Sequence, residues 1–428
     1  MVSVVIACYN VERYVENAVR SAMNQTLRDV EIICVDDGSK DGTLAIIERL
    51  AAEDSRVKVV RHEENQGLLA VRCHGLQAAG GEYMMFLDGD DYLDRRACEE
   101  ALAVAGEKKA DIVQFGATLF ETEGVPAEQI HSLNRMTAPC MKSLPKGEGM
   151  LVKSCFIDRL FSWNLWGKLI RMEIAKKAFG LYGGERLTMG EDMLGFFMIL
   201  VFAGSYAPLN KPYYHYRQGS GVTAISPYLP VERMLLFAQE YQVYGLLKQW
   251  LERLQVKEKH QQALAFVRQR VDQDMYNAFA HRLDPADSPR AAQMLAQYWP
   301  ADELAVALNW GLYRENNWKK RAELIGSLRH AGCLQTKPRS VRTVGTFYLR
   351  MYNGGIERVI SRLAPIWQAN GWRVVVFTEE INALDYALPD NVIRVVIPKI
   401  TACTLDDVEA RARAWMDAIR EYEIDAMV

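Results

Sequence analysis

Short apolar runs alternate with segments of helical spacing along residues 1–90 of the chain. The runs cover Val2–Ala7, Val30–Val35, Val57–Arg61 and Tyr83–Leu87, and a segment with helical spacing of its apolar residues follows each of the first three. Strands that alternate with helices build parallel sheets with helices packed on both faces. The sequence therefore predicts an α/β domain with a mostly parallel sheet, to which Ala110–Phe115 adds a further strand.

Polar side chains follow three of these strands at the points where the strands end. They are Tyr9 with Asn10, Asp36 with Asp37, and Asp88 with Asp90. The carboxyl ends of parallel strands meet at one edge of a sheet, which is where open α/β sheets bind ligands. Carboxylates at this edge suit Mg²⁺ or Mn²⁺, and those ions suit nucleotide phosphates. Each pair alone is also typical of a helix cap or a turn, but the three together favour a nucleotide site.

Composition limits the classes of protein that remain. With 428 residues the chain is long enough for two or three domains. A net charge of −3 provides no basic surface for nucleic acid. Eight cysteines without a C-x-x-C pair indicate reduced, mostly buried thiols rather than disulfides or a zinc site.

The sequence contains no candidate for a signal peptide or a membrane span. It begins directly with a strand, and its longest apolar run, Met193–Ala203, is too short to cross a bilayer. We therefore expect a cytoplasmic protein, with peripheral contact to the inner face of the membrane as an open alternative.

Four ordered segments together resemble the inverting family 2 glycosyltransferases, which have the GT-A fold. They are Ser3–Asn10, Val35–Gly42, Asn65–Gly67 with Arg72, and Phe86–Asp91. The resemblance extends over roughly residues 1–220. It implies a Rossmann-like, mostly parallel GT-A domain at residues 1–225 that takes its sugar from a nucleotide-sugar donor, most readily a UDP-sugar.

The resemblance also implies where the donor and its metal would bind. Asp88 and Asp90, with Asp91 nearby, would hold Mn²⁺ or Mg²⁺ against the diphosphate, whose charge grows as the glycosidic bond breaks. The residues implied to bind the nucleotide sugar are Ala7, Tyr9, Asn10, Asp37, Arg72, Asp88, Gly89 and Asp90.

The segment Gly190-Glu191-Asp192 resembles the second acidic motif of the family. By this resemblance Asp192 is the catalytic base and Glu191 its supporting neighbour. An inverting transfer needs a carboxylate to deprotonate the acceptor hydroxyl as it attacks the anomeric carbon. The same two acids are also typical of the start of a helix, and both roles are compatible.

Residues on the acceptor side are less sharply indicated. Trp163, Trp166 and Lys168 fit a family stretch that precedes the base and helps to form the acceptor side. Arg217 lies in a Y-x-Y-R segment that resembles the closing segment of the family, where an arginine can reach the diphosphate. Large aromatic residues are more often core than ligand contacts, and Arg217 equally fits a packing or surface role.

The second half of the chain changes character twice. Residues 226–337 are rich in Leu, Ala, Gln and Arg and predict a helical extension. Residues 338–428 return to alternating strands and helices and predict a partial second Rossmann-like domain. Through Asn353–Ile360 and Gly371–Val376 this last region resembles the start of a family 4 glycosyltransferase of the GT-B fold.

The sequence thus predicts a metal-dependent inverting glycosyltransferase. It would move a sugar from a nucleoside-diphosphate sugar to a hydroxyl of a glycan or lipid-linked acceptor, in the synthesis of a cell-surface polysaccharide. Two alternatives remain: a nucleotidyltransferase, which shares the carboxylates but needs no acceptor base, and a non-catalytic sugar- or nucleotide-binding scaffold subunit. Donor sugar, acceptor, metal and oligomeric state are left open.

Overall fold

The computed structural model of the protein describes residues 1–120, 130, 137–218, 230–300, 303–304, 307–308, 342–347, 355–381, 385, 387–399, 405–424 and 426–427. The chain divides into two compact units. One contains Met1–Leu229 and Leu235–Val267, and the other contains Pro230–Met234 and Arg268–Val428. The division into domains at residues 1–225, 226–337 and 338–428 stays a prediction.

The first unit contains an eight-stranded sheet with the order β3-β2-β1-β4-β7-β6-β8-β5. Strands β1 to β4 run parallel where they pair, β6 and β8 are also parallel, and β7 and β5 run antiparallel to their neighbours. This confirms the predicted α/β class with a mostly parallel sheet. The strands are β1 Val2–Cys8, β2 Val30–Asp36, β3 Val57–Arg61, β4 Tyr83–Asp88, β5 Tyr92–Leu93, β6 Ile112–Phe120, β7 Lys168–Arg171 and β8 Tyr206–Arg217.

Helices cover both faces of the parallel part of the sheet. Val4 and Ile6 of β1 belong to a buried cluster that includes Val15, Val19 and residues of the next helix. Val5 faces the other side, so close to the third helix that a Cβ on Gly75 would lie 2.3 Å from Val5 Cγ1. Within residues 1–202, the helices of this unit include α1 Val15–Met23, α2 Thr43–Glu53, α3 Leu68–Ala78, α4 Ala97–Lys108, α5 Met172–Phe179 and α6 Glu191–Phe202.

The edge of the sheet beyond β4 differs from the sequence prediction. The strand expected at Ala110–Phe115 begins at Ile112 and continues to Phe120. Strand β7 and the long strand β8 were not predicted. β7 has only four residues, too few for an alternating pattern to stand out. β8 contains Pro208 and Pro212 and exposed residues at 210–212, which hide its strand character.

The helical character predicted for residues 226–337 is confirmed over residues 230–300, whereas most of residues 301–337 lie outside the described residues. This region contains α7 Met234–Arg253, α8 Lys257–Asn277 and α9 Ser288–Leu295, with short helical turns at Val231–Arg233, Ala278–Arg282 and Pro285–Asp287. A similar short segment in the first unit runs from Met150 to Ile157. None of the helices in the described residues combines the length and apolar character needed to cross a membrane.

A second, four-stranded parallel sheet lies in the other unit, in the order β11-β10-β9-β12. Its elements are β9 Arg342–Phe347, α10 Gly355–Ala369, β10 Trp372–Thr378, β11 Ile393–Val396, α11 Leu405–Glu421 and β12 Ala426–Met427. These elements agree with the alternation of strands and helices predicted for residues 338–428. Asn353 and Gly354, on which the resemblance to family 4 partly depends, lie outside the described residues.

The six described cysteines are free and buried, in agreement with the prediction of reduced thiols. Burial strongly raises the pKa of Cys73, Cys98 and Cys155. Because the thiolate is the reactive form, these side chains act as packing groups in the core.

A buried carboxylate joins the amino-terminal ends of the sheet strands. Glu31, at the start of β2, accepts hydrogen bonds from Ser3 Oγ at 2.6 Å, Gly81 N at 2.9 Å, Gly80 N and Lys58 Nζ at 2.7 Å. Burial alone would raise the pKa of Glu31, but the hydrogen bonds from Lys58 and Ser3 outweigh it and the pKa is lowered.

Replacing Glu31 by Gln is expected to lower the free energy of unfolding at neutral pH by about 1.5–3 kcal/mol, because amide donors and hydroxyls lose a charged acceptor. A carboxyl group whose folded pKa is lowered adds stability above its unfolded pKa, and this stability disappears as the pH falls through the folded value. Urea unfolding of both proteins should therefore give curves that converge below about pH 4. The exposed Glu48→Gln provides the control, and an equal loss there would contradict the assignment.

Candidate functional site

Three neighbouring parallel strands end at one edge of the first sheet. Cys8 pairs with Asp36, and Ala7 pairs with Asp88, so the segments that follow β1, β2 and β4 emerge side by side. The polar residues predicted to line one crevice are thus brought to one edge. Gly89 allows a close approach, because a Cβ there would lie 2.6 Å from Ala7 O.

Two of the carboxylates after β4 differ clearly in their surroundings. The side chain of Asp88 is 25% exposed, whereas Asp91 is buried and accepts hydrogen bonds from Tyr214 Oη and Arg217 N, both at 2.7 Å. Burial and the charges of Asp90 and Asp88 raise the pKa of Asp91 well above its usual range. These hydrogen bonds link the turn after β4 to β8 through Asp91. The role of Asp91 as a metal ligand stays a prediction.

The carboxylates at this sheet edge are candidate ligands of a divalent cation. Among the described residues, no group of three or more His, Cys, Asp or Glu side chains is arranged to hold a metal. Burial raises the pKa of Asp88, with the charges of Asp90 and Asp192 adding to it and Arg72 opposing it. Mg²⁺ is commonly held by one or two carboxylates and completed by substrate phosphates. Asp88 and Asp90 therefore fit an ion that arrives with a diphosphate.

Arg72 links the two acidic segments. Its Nη2 lies 3.1 Å from Glu191 Oε1 and 3.5 Å from Asp88 Oδ1, and its guanidinium lies over the ring of Phe86 at 4.9 Å. The Arg72 side chain is 3% exposed. Its Nε and Nη1 are buried without a hydrogen-bond partner in the part of the chain that the structure describes. Within the described residues, Arg72 therefore keeps two cationic nitrogens near Asp88 that no protein group satisfies.

Glu191 and Asp192 begin helix α6 after Gly190, which has a φ of +79°. Asp192 Oδ1 accepts a hydrogen bond from Met193 N at 2.7 Å. Both acids lie in the first turn, where negative charge suits the helix dipole, but Gly190 rather than either acid is the N-cap residue, so the capping role is not observed. Burial and the charge of Asp192 raise the pKa of Glu191 to about 8, although Arg72 opposes them. Burial also raises the pKa of Asp192, again opposed by Arg72. Asp192 is the more exposed of the two and Glu191 is the one paired to Arg72.

Lys168 is fully buried next to this acidic pair. Its Nζ donates to Asn164 O and lies 4.7 Å from the centre of the Phe196 ring. Burial lowers the pKa of Lys168 to about 7, while Cys155 and Asp192 act in the opposite direction. Because the side chain of Lys168 has no exposed surface, an acceptor cannot touch it in this conformation.

The other residues predicted for the acceptor side are placed differently. Trp166 stacks on Tyr214 and Tyr216, with ring centres 4.6 and 5.2 Å apart. Trp163 stacks instead on Phe156 at 5.6 Å. Trp166 is thus joined to the Tyr214–Asp91 contact, whereas Trp163 packs among phenylalanines.

Arg217 reaches the carboxylate turn from β8. Its Nε donates to Asp90 O at 2.9 Å, and its guanidinium lies over Tyr14 at 4.2 Å and over Phe120 at 4.5 Å. The structure therefore brings Arg217 to the turn, with its head group against the backbone and two rings.

The residues predicted to hold the base and ribose surround the ends of β1 and β2. Tyr9 is 46% exposed. Asn10 has a φ of +51°, and its Oδ1 accepts a hydrogen bond from Lys40 N at 2.8 Å. Asp37 is buried and bonded to His62 and to the backbone of Gln66 and Gly67.

Sequence reasoning missed His62. This residue directly follows β3, which belongs to the same parallel part of the sheet as β1, β2 and β4. The rule that polar residues at the carboxyl ends of parallel strands line a ligand site therefore applies to it equally. His62 also contacts His74, whose Nδ1 lies 2.8 Å from His62 Nε2.

Comparisons with known proteins agree with this arrangement. Residues 3–164 match the model of glycosyl transferase family 2. EpsH of Bacillus subtilis is 36% identical over 218 residues, which cover 50% of this chain and 60% of EpsH.

A second relative comes from Campylobacter jejuni. The GalNAc(5)-diNAcBac-PP-undecaprenol beta-1,3-glucosyltransferase is 36% identical over 186 residues, covering 43% of this chain and 56% of that protein. Among solved structures, residues 1–349 of S. aureus TarS in complex with UDP align with 77% of this chain and 89% of that chain, at 22% identity and a TM-score of 0.49. The chain spans less than two thirds of the length of these two curated relatives.

Proposed function

We propose that the chain is a metal-dependent inverting glycosyltransferase that uses a nucleoside-diphosphate sugar, most readily a UDP-sugar. The observation that carries this proposal is the Arg72 bridge, which joins Asp88 at the strand end to Glu191 beside Asp192. It couples a site suited to a diphosphate with a carboxylate suited to deprotonate a hydroxyl. The family 2 match over residues 3–164 supports the same activity.

The donor would lie across the ends of β1, β2 and β4. Ala7, Tyr9, Asn10 and Asp37 would surround the base and ribose, and Arg72 would direct its unpartnered nitrogens to the diphosphate. Asp88, Asp90 and the nearby Asp91 would hold Mn²⁺ or Mg²⁺. When bound, this ion supplies positive charge against the leaving diphosphate.

Asp192 would accept the proton of the acceptor hydroxyl, and Glu191 would support it. The raised pKa of Asp192 suits this role, because a general base works best when its pKa approaches the operating pH. Helix α6 holds the carboxylate through the Met193 N–H, which limits the positions that the base can take. The product would be a β-linked sugar if the donor is α-linked.

The acceptor is proposed to be a glycan or a lipid-linked glycan in the synthesis of a cell-surface polysaccharide. The C. jejuni relative, which is a beta-1,3-glucosyltransferase for an undecaprenol-linked glycan by name, supports this choice. Trp166 lies near the carboxylate turn through Tyr214 and would contribute to the acceptor side with Trp163, Lys168 and Arg217.

A donor screen tests the proposal. With UDP-, GDP- and dTDP-sugars plus Mn²⁺, one donor is expected to stabilise the protein by about 2.7 kcal/mol at a hundredfold excess over its Kd, and EDTA should abolish the shift. Asp88→Asn should lose the metal-dependent part, while the exposed Asp158→Asn should retain it. Release of nucleoside diphosphate identifies glycosyl transfer, whereas release of pyrophosphate from a nucleoside triphosphate would indicate a nucleotidyltransferase. Donor binding without release of nucleoside diphosphate would indicate a scaffold subunit, and absence of binding to every donor would overturn the proposal.

A further inference from the structure

Asp37, His62 and His74 form a continuous hydrogen-bonded chain that joins three elements. Asp37 Oδ1 lies 2.7 Å from His62 Nδ1, and His62 Nε2 lies 2.8 Å from His74 Nδ1. Asp37 follows β2, His62 follows β3, and His74 lies in α3. The two rings meet edge to face, with centres 4.9 Å apart and an interplanar angle of 89°.

Proton counting allows one arrangement when Asp37 is ionised and both rings are neutral. An ionised carboxylate only accepts, so His62 must donate from Nδ1 and its Nε2 is then an acceptor. His74 must consequently donate from Nδ1. Burial and the neighbouring His62 lower the pKa of His74, although Asp37 opposes them, and this keeps the outer ring neutral. The carboxylate of Asp37 thus sets the tautomer of His62, and His62 sets that of His74.

The same carboxylate also holds a turn of the backbone. Asp37 Oδ1 accepts a hydrogen bond from Gln66 N at 2.8 Å, and Asp37 Oδ2 accepts one from Gly67 N at 3.0 Å. Gly67 has a φ of +91° and directly precedes α3, the helix that carries Arg72. The histidine chain is therefore connected, through one carboxylate, to the start of the helix that positions Arg72.

The turn is also packed against the segment that leads to the acidic pair. A Cβ on Gly67 would lie 3.1 Å from Leu187 O, and Leu69 N donates to that same carbonyl at 3.0 Å. A shift of the Gln66–Gly67 turn would therefore disturb two parts of the candidate site. These are the segment that leads to the acidic pair and the start of the helix that carries Arg72.

We propose that His62, whose Nε2 accepts a hydrogen bond from His74, is a positioning residue for nucleotide-sugar binding. It keeps Asp37 oriented and, through Asp37, holds the Gln66–Gly67 turn at the start of α3. This inference rests on the proposed function, because the ligand that it positions is the donor of that reaction. His62 itself is buried and acts through Asp37.

Variants of His62 separate positioning from simple packing. His62→Ala removes the donor to Asp37, and the affinity for UDP with Mn²⁺ is expected to fall roughly tenfold or more, the usual effect of losing a hydrogen bond to a buried charge. His62→Asn restores a short N–H donor at the place of Nδ1 and should recover most of that loss. In transfer assays the donor KM should change and kcat should change little.

Two further variants keep the test decisive. His74→Ala leaves His62 in place but removes the hydrogen-bond partner of its Nε2, and UDP affinity should fall by about threefold to tenfold. His260→Ala is the matched control, because His260 is another buried histidine, packed against Phe197 rather than Asp37. The control should leave UDP affinity unchanged.

The outcomes distinguish this inference from the proposed function. If the unaltered protein binds UDP and both His62→Ala and His74→Ala bind it equally well, the positioning role is overturned and the proposed function stands. The role is also overturned if His62→Asn is as defective as His62→Ala while thermal unfolding shows both to be folded. If the unaltered protein binds neither UDP, GDP nor dTDP, the proposed function fails and the positioning role fails with it.

Discussion

Replacing Asp192 by Asn is expected to lower kcat by about 10²- to 10⁴-fold, the usual contribution of a general base. The amide is nearly isosteric and its oxygen can still accept the hydrogen bond from Met193 N, so helix α6 should begin in the same way. Donor affinity should change little, because Arg72 is hydrogen-bonded to Glu191 and lies near Asp88. Steady-state transfer with saturating donor, combined with calorimetric binding of UDP and Mn²⁺, measures both quantities.

The matched control is Asp29→Asn, an exposed aspartate at the amino-terminal edge of the same sheet. It should retain full turnover. Turnover of Asp192→Asn within about threefold of the unaltered protein would exclude Asp192 as the base. Glu191 would then be the next candidate, although its burial and its contact with Arg72 make it less accessible to an acceptor.

Arg72→Met is expected to lower the free energy of unfolding by about 3–5 kcal/mol, because it leaves the buried carboxylate of Glu191 without its partner. The effect should depend on pH. Without Arg72 the pKa of Glu191 would rise further, and a carboxyl group with a raised folded pKa destabilises the protein above its unfolded pKa. Lowering the pH protonates Glu191 and should recover part of the lost stability. Urea unfolding from about pH 9 down to about pH 4 measures this, because the recovery falls between the folded pKa, above about 8, and the unfolded pKa near 4.3.

A double variant tests whether the loss comes from the unpaired charge. Arg72→Met with Glu191→Gln removes both charges and should recover most of the stability, since replacing a whole buried pair by neutral groups is often nearly neutral. Arg49→Met, in an exposed ion pair with Glu53, should cost no more than about 1 kcal/mol. A loss in the double variant as large as in Arg72→Met would assign the effect to packing over Phe86 instead.

Local patterns were sufficient for the parallel part of the first sheet and for most of the second. β1 and β2 are almost entirely buried, so their apolar runs are continuous and easily recognised. β8 escaped prediction because its first half mixes exposed and half-buried residues. Its pairing with β6 also contains register shifts near Gly116, which no local period can indicate.

The sequence also indicated which residues line the candidate site but not how they are divided among roles. Asp88 and Asp91 look equivalent in the sequence, yet Asp91 is enclosed by Tyr214 and Arg217 N while Asp88 remains partly exposed. The contacts that separate them come from β8, more than a hundred positions away along the chain.

The sequence by itself determined the order of strands and helices and the placement of carboxylates at strand ends, because hydrophobic period and strand termination are properties of neighbouring residues. Only the tertiary structure decided which charges meet. Arg72 and Glu191 are 119 positions apart and become partners because α3 and α6 pack together. Their burial then sets the pKa of Glu191 and the pairing of Arg72, since desolvation and Coulomb energy depend on distances that folding alone creates.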